Sequence, residues 1–301
     1  RTFYRTAGGC LEDRERFTTL PGADIVLISN EKPKTVNVDW YETDENAKDL
    51  DRFRKIYTHM STNSENFERK CFERWFQLAN WLEKAECKTA VHLESDVLLY
   101  FDYGQWVRKS FDADLIIIKD YNFHLMGILD TRSIRDFCNY ILWMYEDADS
   151  LESLRNFQKW HNEKNGAGGV CDMTAMDKFR RLQKVNIESL FGVCDGRWID
   201  NTVTQSDDFV MENGIKKGEF VNNRMMLTKN DSSEIEAGSL HFQGHKKCYM
   251  PKYVQNVPFA VHLEIIAIKT MSHVAQILNS LWRPWVLRYL RLVRFLSGGN
   301  N

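Results

Sequence analysis

Thr89-Ala90-Val91-His92-Leu93-Glu94-Ser95-Asp96-Val97-Leu98-Leu99 joins an apolar run to two carboxylates one residue apart. The run from Thr89 to Leu93 has the length and apolar character of a strand buried in a sheet. A buried strand that stops at a pair of acids sets oxygen ligands at the carboxyl edge of that sheet. Open α/β sheets bind their ligands at that edge. Carboxylate oxygens suit hard cations such as Mg²⁺ or Mn²⁺, and these in turn bind phosphate oxygens. An acid-x-acid sequence also ends many strands in water, so the surrounding chain has to decide.

Working outward, Thr62-Asn63-Ser64-Glu65 fits a capping box that opens a helix. Phe67, Cys71, Trp75, Leu78 and Leu82 follow at helical spacing and predict one apolar stripe, with the helix ending near 83–86. Ala23–Ser29 and Asp114–Ile118 read as further strands, the first announced by Pro21-Gly22. Helices are predicted near Tyr103–Lys109, Ser133–Tyr145, Ser150–Trp160 and Met173–Leu182. Residues 1–20 are polar, with a turn at Gly8-Gly9. Residues 30–56 read as loop with a short strand at Thr35–Val38, and 191–240 as loops and short strands. Strands alternating with helices imply an α/β fold with a largely parallel sheet. The expected division is one domain over 1–265 and an amphipathic, basic tail over 266–301.

Composition narrows the class. At 301 residues and 43% hydrophobic the chain can bury a large core. A net charge of −2 gives no basic footprint for nucleic acid. The seven Cys are odd in number and contain no C-x-x-C pair, which speaks against zinc ribbons and small disulfide scaffolds and for buried free thiols. Asn230-Asp231-Ser232 is a glycosylation sequon and points to a lumen, whereas free thiols point to the cytosol. The sequence holds no signal-peptide pattern and no run of 18 apolar residues; it begins with Arg, which leaves an anchor before it open.

Three further features carry chemistry. His241-Phe242-Gln243-Gly244-His245-Lys246-Lys247 places an imidazole three residues before a Gly and six before a Lys. Imidazole is a ligand for Mn²⁺, Gly lets backbone approach a diphosphate, and an ammonium neutralises phosphate charge. The plainer reading is a surface loop. Asp172 follows Gly166-Ala167-Gly168-Gly169 and opens a helix, where an Asp is commonly an N-cap. Arg74 lies on the helix before the acid pair, either as a solvated charge or reaching a diphosphate.

Together these features resemble nucleotide-sugar glycosyltransferases of the GT-A fold, a Rossmann-like, mostly parallel sheet flanked by helices. Phe72-Glu73-Arg74-Trp75-Phe76 followed by His92-Leu93-Glu94-Ser95-Asp96-Val97-Leu98 looks like the segment leading to that family's D-x-D motif, with Glu at the first acid. His241-x-x-Gly244-x-x-Lys247 is similar to the H-x-x-G-x-x-K element of the glycogenin and lipopolysaccharide-galactosyltransferase branch, family 8, although Cys248-Tyr249 stands where that branch has Pro-Trp. Asp172-Met173-Thr174-Ala175 is similar to its D-Q-x-x element without the Gln. The likeness spans about residues 20–250; for the family's first strand only Arg1–Thr6 is available.

The resemblance implies transfer of a sugar from a nucleotide-diphosphate sugar, UDP-linked by preference, to a glycan, protein or lipid acceptor, with retention. It implies Mn²⁺ or Mg²⁺ held by Glu94, Asp96 and His241. Arg74, Glu94, Ser95, Asp96, Gly244 and Lys247 would contact the donor, with Asp172 and Lys247 in catalytic roles: Asp172 orienting the sugar, or serving as base if the enzyme inverts. The competing reading is a non-catalytic scaffold or carbohydrate-binding protein on a degenerate form of the same fold. A nucleotidyltransferase would need a Gly-rich basic loop near the start, and none is seen. The tail alternates Trp282, Trp285, Leu287, Leu290 and Phe295 with Arg283, Arg288, Arg291 and Arg294, and lacks acids after Glu264. That pattern suits peripheral contact with a membrane, or a helix packed on the domain.

Overall fold

The computed structural model describes residues 2–6, 24–30, 32, 39–119 and 121–254. The expected turns at Gly8-Gly9 and Pro21-Gly22, the strand at Thr35–Val38, the 265/266 boundary and the basic tail lie outside them. The chain divides into two compact units, Arg1–Gln243 and Gly244–Asn301.

The first unit is α/β. Its larger sheet is built from Thr2–Thr6 (β1), Asp24–Ser29 (β2), Asp39–Glu42 (β3) and Ala90–Glu94 (β4). After Val97–Leu99 (β5), the strands Leu115–Ile118 (β6), Asn122–Ile128 (β7) and Ile187–Leu190 (β8) complete it in the order β3-β2-β1-β4-β7-β6-β8. The sheet is mixed and not largely parallel: only β2/β3 and β6/β8 pair in parallel, and β1 runs antiparallel to both β2 and β4. The cause at β6/β7 is local. Lys119 takes a left-handed φ of 46° right after Ile118, so the chain reverses into a hairpin in place of a helical crossover.

Helices Lys48–Ile56 (α1), Glu65–Lys84 (α2), Arg132–Glu146 (α4) and Asp172–Arg181 (α6) share one apolar core with one face of this sheet, and Ala148–Asn165 (α5) adds Leu154 to it. Tyr103–Ser110 (α3) packs on the other face through Tyr103 and Val107. Helix α1 stands where the sequence read as loop. Its charged run hides two anchors, Leu50 and Phe53, both fully buried, with Phe53 stacked on Phe76 at 5.3 Å. Burying one such aromatic contributes about 1.5–3 kcal/mol, enough to hold a short helix in place.

The start of α2 differs from the expected box. Ser64 is the N-cap and makes no side-chain cap, while the Thr62 hydroxyl accepts the Gly168 N–H at 2.7 Å. Glu68, buried one turn in, accepts from Ser61 Oγ at 2.9 Å and Asn63 Nδ2 at 2.7 Å. The buried stripe also shifts: Phe67 is exposed, and Phe72, Trp75, Phe76, Leu78, Ala79 and Leu82 form the packed face. Tertiary contacts across the helix decide which apolar side chains find a neighbour.

A second sheet holds Gly192–Cys194 (β9), Arg197–Ile199 (β10), Gly218–Val221 (β13), Arg224–Thr228 (β14) and Glu234–His241 (β15), with β5 added along β15. Met211–Glu212 (β11) and Ile215–Lys216 (β12) form a small hairpin beside it. Gly238 allows β10 to lie close to β15, because a Cβ there would stand 2.8 Å from Ile199 Cδ1. The second unit is described from Gly244 to Val254, mostly as a 3-10 segment, Gly244–Tyr253. Among the described residues, no helix is long and apolar enough to cross a membrane. The six described cysteines are free, and only Cys138 is buried; the others are partly exposed.

Candidate metal centre

Strand β4 delivers Glu94 as its last residue, Ser95 and Asp96 turn the chain, and β5 leaves in the other sheet. The acid pair therefore sits where one sheet passes its chain to the next. Strand β5 runs antiparallel to the end of β15, with Val97 opposite His241, and the Phe242 N–H donates to the Asp96 carbonyl at 2.8 Å. Strand register thus brings His241 to the acids. Ser95 is exposed at the turn, Glu94 is partly buried, and Asp96 and His241 are buried.

One ligand atom from each of Glu94, Asp96 and His241 lies within 4.8 Å of the others. His241 Nε2 stands 3.7 Å from Asp96 Oδ1, too far for a hydrogen bond. Two ligands of one octahedral ion, each about 2.1 Å from it, lie about 3–4 Å apart. His241 Nδ1 donates to the Asn201 carbonyl at 2.7 Å, so in the neutral ring the Nε2 lone pair faces Asp96. A metal-binding imidazole is oriented in this way by its other nitrogen. Two carboxylates and one imidazole suit Mn²⁺, and the carboxylates alone suit Mg²⁺. The residues present fit such an ion.

A guanidinium crosses behind the acids. Arg74 donates through Nη1 to Glu94 Oε1 at 2.6 Å, and through Nη2 and Nε to Asp172 Oδ2 at 2.6 and 3.1 Å. Its Cζ lies 5.3 Å from the Trp75 ring centroid and 5.1 Å from that of Phe123, and the Trp75 indole also donates to Asp172 Oδ2, at 3.0 Å. Arg74 is therefore neither a solvated charge nor an unengaged one; it ties Glu94 to Asp172. Asp172 is not the N-cap of α6 either. Cys171 holds that position, and Asp172 turns inward from the first helical residue, its Oδ1 accepting the Met173 N–H. Gly169 makes this placement feasible. Its φ is +147°, and a Cβ there would stand 2.4 Å from the Met60 carbonyl, so the segment before α6 passes directly against residues 60–62.

Charge sets the protonation states. Burial opposes ionisation of Glu94, yet Arg74 outweighs it and holds the carboxyl at about 2. Burial lifts Asp172 above its ordinary value, with Arg74 and the Trp75 indole pulling the other way. Burial, with Arg74 adding repulsion, pushes His92 down to about 3, and the ring donates through Nδ1 to the Phe123 carbonyl at 2.8 Å. His124 is likewise pushed to about 3, by burial and then by His241. It stacks on His241 with ring centroids 3.9 Å apart and bonds through Nε2 to the Asp200 carbonyl at 3.2 Å. Two uncharged imidazoles thus wall a site that carries two acids and a third imidazole.

Sequence reasoning placed Arg74, Glu94, Asp96, Asp172 and His241, and these five meet in the first unit. Gly244, with φ +56°, and Lys247 lie on the 3-10 segment of the second unit. His124, Asp200 and Asn201 were missed. The apolar run Phe123–Ile128 was a legible strand signal for His124, whereas nothing local marks the Asn201 carbonyl. Compared with known proteins, the chain matches no protein family, no curated protein and no solved structure.

Proposed function

We propose that this chain is a metal-dependent glycosyltransferase that uses a nucleotide-diphosphate sugar. The observation that carries the reading is the meeting of Glu94, Asp96 and His241 at the end of a buried strand, with the imidazole already turned toward the carboxylates by Asn201. A bound Mn²⁺ or Mg²⁺ supplies Lewis-acid stabilisation of charge on a leaving diphosphate. The chain's own residues do the rest. Asp96 and His241 are buried, and the Asn201 carbonyl orients the His241 ring. Arg74 keeps Glu94 ionised. Glu94, Asp96 and Asp172 against one Arg74 give a cluster suited to a divalent ion. Asp172, with Oδ2 taken by three donors and Oδ1 on its own helix amide, is poorly placed to abstract a proton, and its role as a contact to the donor sugar rests on the sequence likeness. Gly244 and Lys247 enter as diphosphate contacts on the strength of the sequence motif. The acceptor is a glycan, protein or lipid.

The test is release of UDP or GDP from a panel of nucleotide sugars with Mn²⁺ and with EDTA. Turnover of one donor that EDTA abolishes, and that Asp96→Ala loses, is expected. No turnover, together with no donor-induced rise in melting temperature, would overturn the reading and favour a non-catalytic scaffold.

A further inference from the structure

Lys216 is fully buried, on a hairpin outside the candidate centre. Its Nζ lies over Trp198 and Phe209, 5.8 Å from each ring centroid. The ammonium donates to Asp200 Oδ1 at 2.7 Å, to the Thr202 carbonyl at 2.8 Å and to Asp207 Oδ2 at 2.8 Å. Asp200, equally buried, accepts the His241 N–H through Oδ2 at 3.3 Å and offers its carbonyl to His124 Nε2. The next carbonyl, Asn201, receives His241 Nδ1. Asn122 Nδ2 donates to the Asn201 side chain. Among the described residues, the His241 ring is thus hydrogen-bonded by Asn201 and stacked on His124, which leans on Asp200. The short stretch 200–202 is clamped at both ends, Asp200 and Thr202, by one ammonium.

We infer that Lys216 is a positioning residue for metal binding: its clamp on Asp200 and Thr202 fixes the Asn201 carbonyl that holds His241 as an Nε2 ligand. A buried ammonium between two carboxylates is a costly way to stabilise a fold, since apolar replacements serve as well or better. Its geometry is what an apolar residue cannot reproduce, because only a multi-donor head joins the two ends of the stretch. Supporting partners of this kind typically alter metal affinity by about 10–100-fold.

The inference rests on the metal reading above, and the experiment separates the two. Mn²⁺ binding by the full chain is measured from the free-ion electron paramagnetic resonance signal, for the wild type, His241→Ala and the double variant Lys216→Met/Asp200→Asn. The double variant leaves only Asp207, whose side chain is 20% exposed to water, without its ammonium, and keeps an acceptor for the His241 N–H. The expected result is a loss of affinity of about 10-fold or more in the double variant at unchanged circular dichroism. Affinity unchanged within about 2-fold overturns the positioning role and leaves the metal reading standing. No Mn²⁺ binding by the wild type overturns both. Nitrogen NMR of the metal-free wild type is a second check that needs no variant: His241 is expected as the Nδ1–H tautomer, and an Nε2–H ring overturns the inference.

Discussion

Replacing Arg74 with Met removes the charge at the centre of the site and keeps an apolar stem beside Trp75 and Phe123. Two carboxylates lose a partner: Glu94, whose side chain is 25% exposed, and Asp172, at 4%. Removing one member of a buried ion pair costs about 3–5 kcal/mol. Asp172 retains the Trp75 indole and the Met173 amide, and Glu94 reaches water, so a loss of about 3 kcal/mol at neutral pH is expected. An independent magnitude comes from Glu94, held at about 2 against an ordinary value of 4.5. A folded-state value below the unfolded one contributes stability that is present above the unfolded value and lost as pH falls toward the folded one. The full contribution is about 3 kcal/mol, of which about 0.8 is lost by pH 4 and about 2 by pH 3. Urea unfolding followed by tryptophan fluorescence, at pH 7 and in steps downward, reads both quantities. In Arg74→Met the share of acid sensitivity due to Glu94 should shrink, and Arg74→Met/Asp172→Asn should recover about 1–2 kcal/mol by removing the stranded carboxylate. A cost below about 1 kcal/mol at pH 7, or an acid limb equal to the wild type's, would refute the network as drawn.

Other outcomes follow from single features. Asp96→Ala and His241→Ala should each weaken Mn²⁺ binding by at least about 10-fold while leaving circular dichroism unchanged; calorimetric titration checks this, and wild-type affinity in both would remove the centre. Gly169→Ala, which drives a Cβ into the Met60 carbonyl from a left-handed backbone, should cost about 2–4 kcal/mol in urea midpoint, and a neutral result would contradict the close passage before α6. His92 and His124, held at about 3 against the ordinary 6.5, favour the folded state fully above pH 6.5 and less as pH falls toward 3. Each should remove about 2 kcal/mol between pH 7 and pH 5, and His124→Phe should flatten that slope by its share; an unchanged slope counts against a buried neutral imidazole.

The legible parts of this chain are those whose cause is local. The 20-residue helix Glu65–Lys84 follows from apolar spacing, and the strand Ala90–Glu94 from an apolar run bounded by acids. Glu94, Asp96 and His241 were legible as candidate ligands from residue type, whereas Asp172 read by itself as an N-cap and gained a role only through the family resemblance. The parts that failed depend on partners. The box at Thr62 gave way because its hydroxyl accepts the N–H of Gly168, distant in sequence, and the N-cap falls at Ser64. The largely parallel sheet gave way at β6/β7, where the left-handed Lys119 turned a crossover into a hairpin, and at β1, which runs antiparallel to both of its neighbours. Arg74 was open between solvent and ligand until the fold set Glu94 and Asp172 on either side of it. The sequence by itself determined an α/β chain with metal-binding residue types in order. Tertiary structure alone decided that β5 pairs β15 in the register that places His241 beside Asp96, and that Lys216 clamps Asp200 and Thr202. The physical reason is that periodicity specifies which face a residue presents, whereas the identity of its neighbour depends on long-range pairing that no local pattern encodes.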